Sequence, residues 1–251
     1  LANAGDNLLT DAVSAAWQND QESGSFLQSG YEETRHETGS GVHLNATTVL
    51  GGLYAKTGNW LGGFYARYAY GDYHTYPVRA ESYASSWAGG VFGAWNGVEN
   101  LRLGADARVG WQETSYGGSA ETGASFDYES VFTSLQASAQ YDFWQDMQAE
   151  ARLRWTHIQG DSLTDNLGEA VSLHASDSLL STVGVTYAPR ALAFSYFTPE
   201  MKVQWLNEFN GKGSADVEGH RIDGLSLRGS TGRVSLGLNY QRPEQGLLAR
   251  L

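Results

Sequence analysis

The feature that most constrains this chain is a period of two carried over unusually long segments. Between residues 101 and 112, Leu101, Leu103, Ala105, Ala107, Val109 and Trp111 alternate with Arg102, Gly104, Asp106, Arg108, Gly110 and Gln112. Successive side chains of a strand point to opposite faces, so one face here is wholly apolar and the other small, polar or charged. Met147, Ala149, Ala151, Leu153 and Trp155 stand in the same relation to Gln148, Glu150, Arg152, Arg154 and Thr156. The pattern recurs with Met201, Val203, Trp205 and Phe209 against Lys202, Gln204 and Glu208. It recurs again with Trp60, Phe64, Ala66, Tyr68 and Tyr70 against Leu61, Gly63, Tyr65, Arg67 and Ala69.

Eleven segments of this kind can be placed, at roughly 22–33, 41–56, 59–73, 81–96, 99–115, 125–142, 146–159, 169–188, 197–210, 229–241 and 245–251. Many run 12 to 18 residues, against ~5–6 for strands of soluble sheets. Strands that long suit a tilted wall crossing a bilayer and extending beyond it. The connections alternate in length. Those at 56–59, 96–100, 142–146 and 242–245 are short; those at 32–41, 72–82, 113–127, 157–171 and 210–230 are long. Residues 188–200 form a longer connection on the short side. Short turns at one end and long loops at the other are the pattern of an outer-membrane barrel. Trp60, Tyr70, Tyr83, Trp95, Trp111, Tyr141 and Trp155 fall near strand ends, where an aromatic girdle is required. The fold class read from this pattern is all-β, a transmembrane antiparallel barrel. A soluble sandwich or lipocalin-like barrel also alternates, but turns its polar face to water and fills a core with the other.

Composition narrows the function. Lys and Arg total 16 against 28 acids, a net charge of −12, which repels phosphate and argues against a nucleic-acid partner. There is no Cys, so neither a disulfide framework nor a Cys-based zinc site can form. No run of about 18 apolar residues exists to make a membrane-spanning helix, and the mean hydropathy of −0.38 is what a barrel with every second residue polar would give. The opening residues lack a basic stretch followed by an apolar one, so any targeting sequence is expected to lie upstream or to have been removed.

Residues 6–19 break the alternation. Asp6 or Asn7 can serve as N-cap, and Leu9, Val13 and Ala16 or Trp17 share one helical face. A short, weakly amphipathic helix and a frayed tail both fit.

In a barrel the inward face would carry Arg67, Arg102, Arg108, Arg152, Arg154, Lys202 and Arg233 against Asp106, Glu150 and Glu208. Such a basic lumen inside an acidic protein would hold the acidic N-terminal residues Asp6, Asp11, Asp20 and Glu22. Arg–carboxylate ladders that satisfy polar groups where water is scarce are the plainer account, and the two are compatible.

Other motifs carry little. Gly160–Leu163 spells the nucleophile block of a serine esterase family, but none of His157, His174 and His220 has an Asp three residues before it, and Ser162 falls in a predicted surface loop. The six His are scattered and read as solvated loop residues, without metal-ligand spacing. The glycosylation pattern at Asn45 lies within a predicted strand. Glu113, Glu121, Asp127, Glu129, Asp161, Asp165, Asp216, Glu218 and Asp223 read as solvated loop carboxylates, with divalent-cation binding as the alternative. No catalytic, cofactor or metal site is assigned.

Several stretches together resemble the translocator β-domain of autotransporters, the type V secretion family of Gram-negative bacteria. They are residues 29–42, 61–68, 101–111, 203–213 (with its Glu-Phe-Asn-Gly turn) and 227–240, and the likeness covers about 22–251. The resemblance implies a barrel of twelve strands with a helix threaded through the lumen before the first, giving a linker or lumenal helix at 1–21 and a barrel at 22–251. It implies location in the bacterial outer membrane, with lipid and lipopolysaccharide around the wall and the barrel assembly machinery as folding partner. It also implies a covalently linked passenger exported to the cell surface. Family members end on an aromatic residue, whereas this chain stops at Leu251 as an eleventh strand begins; the expectation is that one further strand follows. The rival readings are a stand-alone porin-like or adhesive barrel and a soluble carbohydrate-binding β-protein.

Overall fold

The computed structural model describes residues 2–19, 21–36, 41–76, 81–117, 125–194, 197–226, 228–242 and 247–250. After helix α1 (Asp6–Gln18), the first seven strands run β1 (Ser23–His36), β2 (Gly41–Thr57), β3 (Trp60–Tyr76), β4 (Glu81–Val98), β5 (Leu101–Gly117), β6 (Ser125–Trp144) and β7 (Met147–Ile158). Two short strands follow, β8 (Asp161–Thr164) and β9 (Ala170–Leu173), then β10 (Ser176–Tyr187) and β11 (Phe197–Glu208). The last are β12 (Lys212–Val217), β13 (His220–Ser226), β14 (Gly229–Arg242) and β15 (Leu247–Arg250).

Eleven strands close into a barrel in the order β1-β15-β14-β11-β10-β7-β6-β5-β4-β3-β2. The ladders are long and regular: β5 and β6 stay in register from Leu101–Tyr141 to Gly117–Ser125. Strands that alternate up and down in an odd-numbered ring can close only if one neighbouring pair runs the same way. That pair is β1 and β15, parallel over Ser25–Leu247 to Gln28–Arg250. The eleven strands present thus form a closed ring through one parallel joint. Above Gln28 the wall is joined differently, by an ion pair from Arg233 of β14 to Glu32 of β1.

Two long connections differ from their reading as loops. They carry a second sheet in the order β13-β12-β9-β8, and the predicted segment 169–188 is broken between β9 and β10. Asp165 builds the β8–β9 turn by accepting the N–H groups of Leu167 and Glu169, both at 2.9 Å. At the other end of the barrel, Gly58 and Asn100 adopt positive φ (56° and 62°), which lets two-residue turns join long strands.

The outer surface of the barrel is apolar. Leu53, Phe64 and Val91 stand opposite one another on β2, β3 and β4, as do Val185, Val203 and Val234 on β10, β11 and β14, and all six are exposed. Trp60, Tyr141 and Trp144 flank this band near the short turns, and Trp87, Trp111, Trp155 and Trp205 flank it towards the long loops. Among the described residues no helix is long and apolar enough to cross a membrane; the strands form the apolar band.

The buried side is packed by an aromatic–glycine rule. Phe26, Phe92, Tyr65 and Phe132 each lie directly across from a glycine: Gly52, Gly63, Gly90 and Gly110. A Cβ on Gly52 would sit 2.4 Å from the Phe26 ring, and one on Gly90 2.6 Å from the Tyr65 ring. Large rings can lie flat along the wall only where the neighbour has no side chain, which accounts for part of the 31 glycines.

Candidate functional site: the barrel interior

Helix α1 lies inside the ring, because its residues bond to strands around the circumference. Its N-cap is Gly5 in a left-handed conformation (φ 67°), not Asp6 or Asn7, and no side chain caps it. A Cβ at Gly5 would meet Thr48 Cγ2 at 2.6 Å, so both the backbone angle and the closeness of β2 require glycine. At its C-terminal end Lys56 donates to the carbonyls of Ala16 (3.1 Å) and Asn19, placing a cation at the negative end of the helix dipole.

The helix is held unevenly. Its apolar face is broader than the predicted one: Leu8, Leu9, Ala12 and Ala16 are buried against Phe26, Leu50, Tyr54, Leu61, Tyr65 and Phe92 of β1–β4. Its polar face looks towards β5–β11. Asn7 exchanges hydrogen bonds with the amide of Gln204 (3.0 Å each way) and accepts from Arg152 Nη2 at 2.5 Å. Asp11 pairs with Lys202, and Ser14 accepts from Arg102 Nη1 at 3.2 Å. Upstream of the helix, Asn3 accepts from Thr156 (2.9 Å) and donates to Ser178 (3.1 Å). The Ala2 carbonyl accepts from Arg67 Nη1 (3.3 Å) and Arg108 Nη2 (2.5 Å).

Strand register explains why these groups meet. Arg102, Gln140, Glu150, Gly184, Gln204 and Arg233 lie on one continuous row across β5, β6, β7, β10, β11 and β14. Gly184, with no side chain, lets Glu150 and Gln204 reach each other over β10; a Cβ there would stand 2.8 Å from Gln204 Cγ and 3.3 Å from Glu150 Oε1. Glu150 also lies 3.6 Å from Lys202 Nζ and 3.5 Å from Arg152 Nη2. Arg102 donates to Asp142 at 2.5 Å.

The remaining residues of the predicted lining bond to the wall. Asp106 accepts from Tyr65 (2.9 Å) and Arg154 donates to Gln136 (2.6 Å). Glu208 accepts from Ser178 (2.6 Å) and the Leu179 N–H (2.8 Å). Arg67, Arg102, Asp106, Arg108, Glu150, Arg152, Arg154 and Lys202 are buried, while Glu208 and Arg233 are half-buried. Of the acidic N-terminal residues, Asp11 meets a base and Glu22 is exposed. Asp20 and Glu121 lie outside the described residues, as do the side chains of Asp6, His36 and Asp223. A cavity of about 770 Å³ remains beside the polar face of α1, at the short-turn end, bordered by Asp11, Ser14, Asn100, Asp142, Thr186 and Glu200.

Sequence reasoning missed Asn3, Asn7 and Ser14 as polar contacts of the N-terminal segment, and on the wall it missed Gln204 as the partner of Asn7 and Gln136 as the partner of Arg154. Alternation already puts Gln136 and Gln204 at buried parity, so that signal was present.

The other motifs resolve differently. Ser162 belongs to strand β8, and its hydroxyl meets that of Ser172 at 3.3 Å. Glu113, Asp127 and Glu129 lie in β5 and β6 rather than loops, with Glu113 and Glu129 directly opposed. His43, His74 and His157 also lie in strands. His43 pairs with Glu33 (3.0 Å), His74 with Asp72 (2.9 Å), His157 with Asp177 (3.0 Å) and His174 with Asp216 (3.1 Å). Among the described residues no three of His, Asp and Glu converge as a metal site would require.

The profile of the autotransporter β-domain family matches residues 17–247. The chain belongs to that family. Three solved autotransporter barrels share its fold. The translocator domain of NalP from Neisseria meningitidis superposes with a TM-score of 0.67 at 15% identity, over 94% of this chain and 87% of that one. The β-domain of the Bordetella autotransporter BrkA gives 0.61 at 18%, over 86% and 95%. The transport unit of AIDA-I from Escherichia coli gives 0.55 at 13%, over 86% and 77%. No curated protein sequence matches the chain. This autotransporter β-domain is therefore an outer-membrane transport barrel, linked to a passenger that it exports to the surface.

Proposed function

We propose that residues 1–21 are the resident segment of the translocation bore and that residues 22–251 form the wall through which the passenger passes. In this reading Arg67, Arg102, Asp106, Arg108, Glu150, Arg152, Arg154, Lys202, Glu208 and Arg233 line the lumen, and Arg67, Arg102, Arg108, Arg152 and Lys202 among them hold that segment after export. The single observation that carries it is the Lys202–Asp11 pair with its surrounding bonds, which ties the helix to strands on the far side from its apolar contacts. Charged pairs away from bulk water act more strongly than exposed ones, so this lining suits a permanent occupant. The domain works without a catalytic step; the hydroxyl partner of Ser162 supports that, since a nucleophilic serine needs a base. Lipopolysaccharide is the proposed neighbour of the polar outer belt at Glu33, His43 and Asp72, and the barrel assembly machinery the proposed folding partner.

Deleting residues 1–20 tests the reading. Single-channel conductance in planar bilayers rises and thermal stability falls modestly if the segment fills the bore. Unchanged conductance, with rapid proteolysis of the segment in the intact barrel, would show a flexible tether instead.

A further inference from the structure

Two arginines on different strands converge on one main-chain oxygen. Arg67 of β3 and Arg108 of β5 both donate to the carbonyl of Ala2, and both side chains are buried. Their strands are not neighbours, since β4 lies between them, and there Ala88 is the residue directly opposite Arg67. The small Ala88 leaves the space through which the two guanidinium groups reach the same point. The Ala2 methyl packs on Ala88 and Phe132, and the segment Ala2-Asn3-Ala4-Gly5 carries only small or short side chains.

We propose that Arg67 and Arg108 form a clamp for the peptide backbone of the chain occupying the bore, recognising a carbonyl flanked by small side chains. This rests on residues 1–21 being the resident segment and names what holds its leading end. A carbonyl has two lone pairs, so it accepts two donors at once, and a cationic donor makes each bond stronger than a neutral one. Every residue presents a carbonyl, so such a grip needs no particular functional group on the passing chain. At the clamped carbonyl, side-chain bulk limits where the chain can rest; one residue on, Asn3 adds side-chain bonds to Thr156 and Ser178. Helix α1 follows at once, its positive end at Gly5, so the small-residue stretch is held at its upper end by the clamp and at its lower end by the helix contacts.

Amide hydrogen exchange on the full chain in bilayers or detergent tests this, because exchange reports local opening. Replacing both arginines (Arg67→Gln with Arg108→Gln) should speed exchange at residues 2–5 by about tenfold or more, the factor for one charge-assisted bond. The helix, held by its own contacts, should change less. Arg67→Lys with Arg108→Lys keeps the charges on shorter donors and should give an intermediate rate; it is the pair to read if the glutamine pair does not fold. Ala2→Ser keeps the carbonyl and should leave exchange near the native rate. The clamp is overturned if residues 2–5 exchange equally in the native and substituted proteins, or if Ala2→Ser loosens them as much as the arginine changes do. Native exchange at unprotected rates through residues 2–18 would instead remove the resident segment itself.

Discussion

Leu153 and Arg154 are adjacent, and the fold treats them in opposite ways: the first is 48% exposed on the apolar outer face, the second 2% exposed and bonded to Gln136. Leu153→Arg would place a charge in lipid and should cost about 2–4 kcal/mol, read as a lower midpoint in urea-driven folding into bilayers. No change would mean that the register is wrong. Lys202 is the opposite case, since its removal takes a buried cation away from both Asp11 and Glu150. Lys202→Met should destabilise by about 3–5 kcal/mol, and adding Asp11→Asn should recover part of that in a double-mutant cycle. Alternation made the parity of both residues legible. Their partners were not legible, because Lys202 meets Asp11 across a distance of 191 residues, set by ring closure and by where the helix lies. Local pattern holds no information about either.

At the scale of elements, the long barrel strands were readable because each repeats the same alternation many times. The strands β8, β9, β12 and β13 were not, since four to seven residues are too short a run for alternation to stand out. The parallel joint was hidden for another reason: period two is the same whichever way a neighbour runs. The helix was legible as a helix, but Leu8 and Ala12 were missed because the burying wall wraps more of its circumference than a flat surface would. The joint should also be the least stable part of the wall. The ladders of β15 extend over four residues on each side, Leu247–Arg250 against β1 and against β14, whereas β4 and β5 pair over most of their length. Amides of Ser25–Gln28 should therefore exchange faster than those of Ala88–Ala94, and equal protection would contradict this ranking.

For the whole molecule, a broad apolar band faces outwards while Arg67, Arg102, Arg108, Arg152, Arg154 and Lys202 are buried, the reverse of a soluble sheet. The protein should partition into detergent in phase-separation assays and migrate as a compact, heat-modifiable species on gels without boiling. Recovery from the aqueous phase would support the carbohydrate-binding alternative that the alternation also allowed. The net charge of −12 does not conflict with the buried bases. Exposed acids such as Glu113, Asp127, Glu129 and Asp177 lie outside, while Arg67, Arg108, Arg152, Arg154 and Lys202 are enclosed.

The uneven attachment of α1 determines how it would leave. Apolar contacts along β1–β4 tolerate small shifts and tilts, whereas the hydrogen bonds and ion pair reaching over from β5–β11 weaken steeply with distance and angle. Loosening one set before the other makes the helix swing on its apolar side, like a door on its hinge rather than a cork drawn from a bottle. The hollow beside Asp11 and Ser14 lies on the opening side of that door, so ions would first pass there, before the helix has moved along the bore at all.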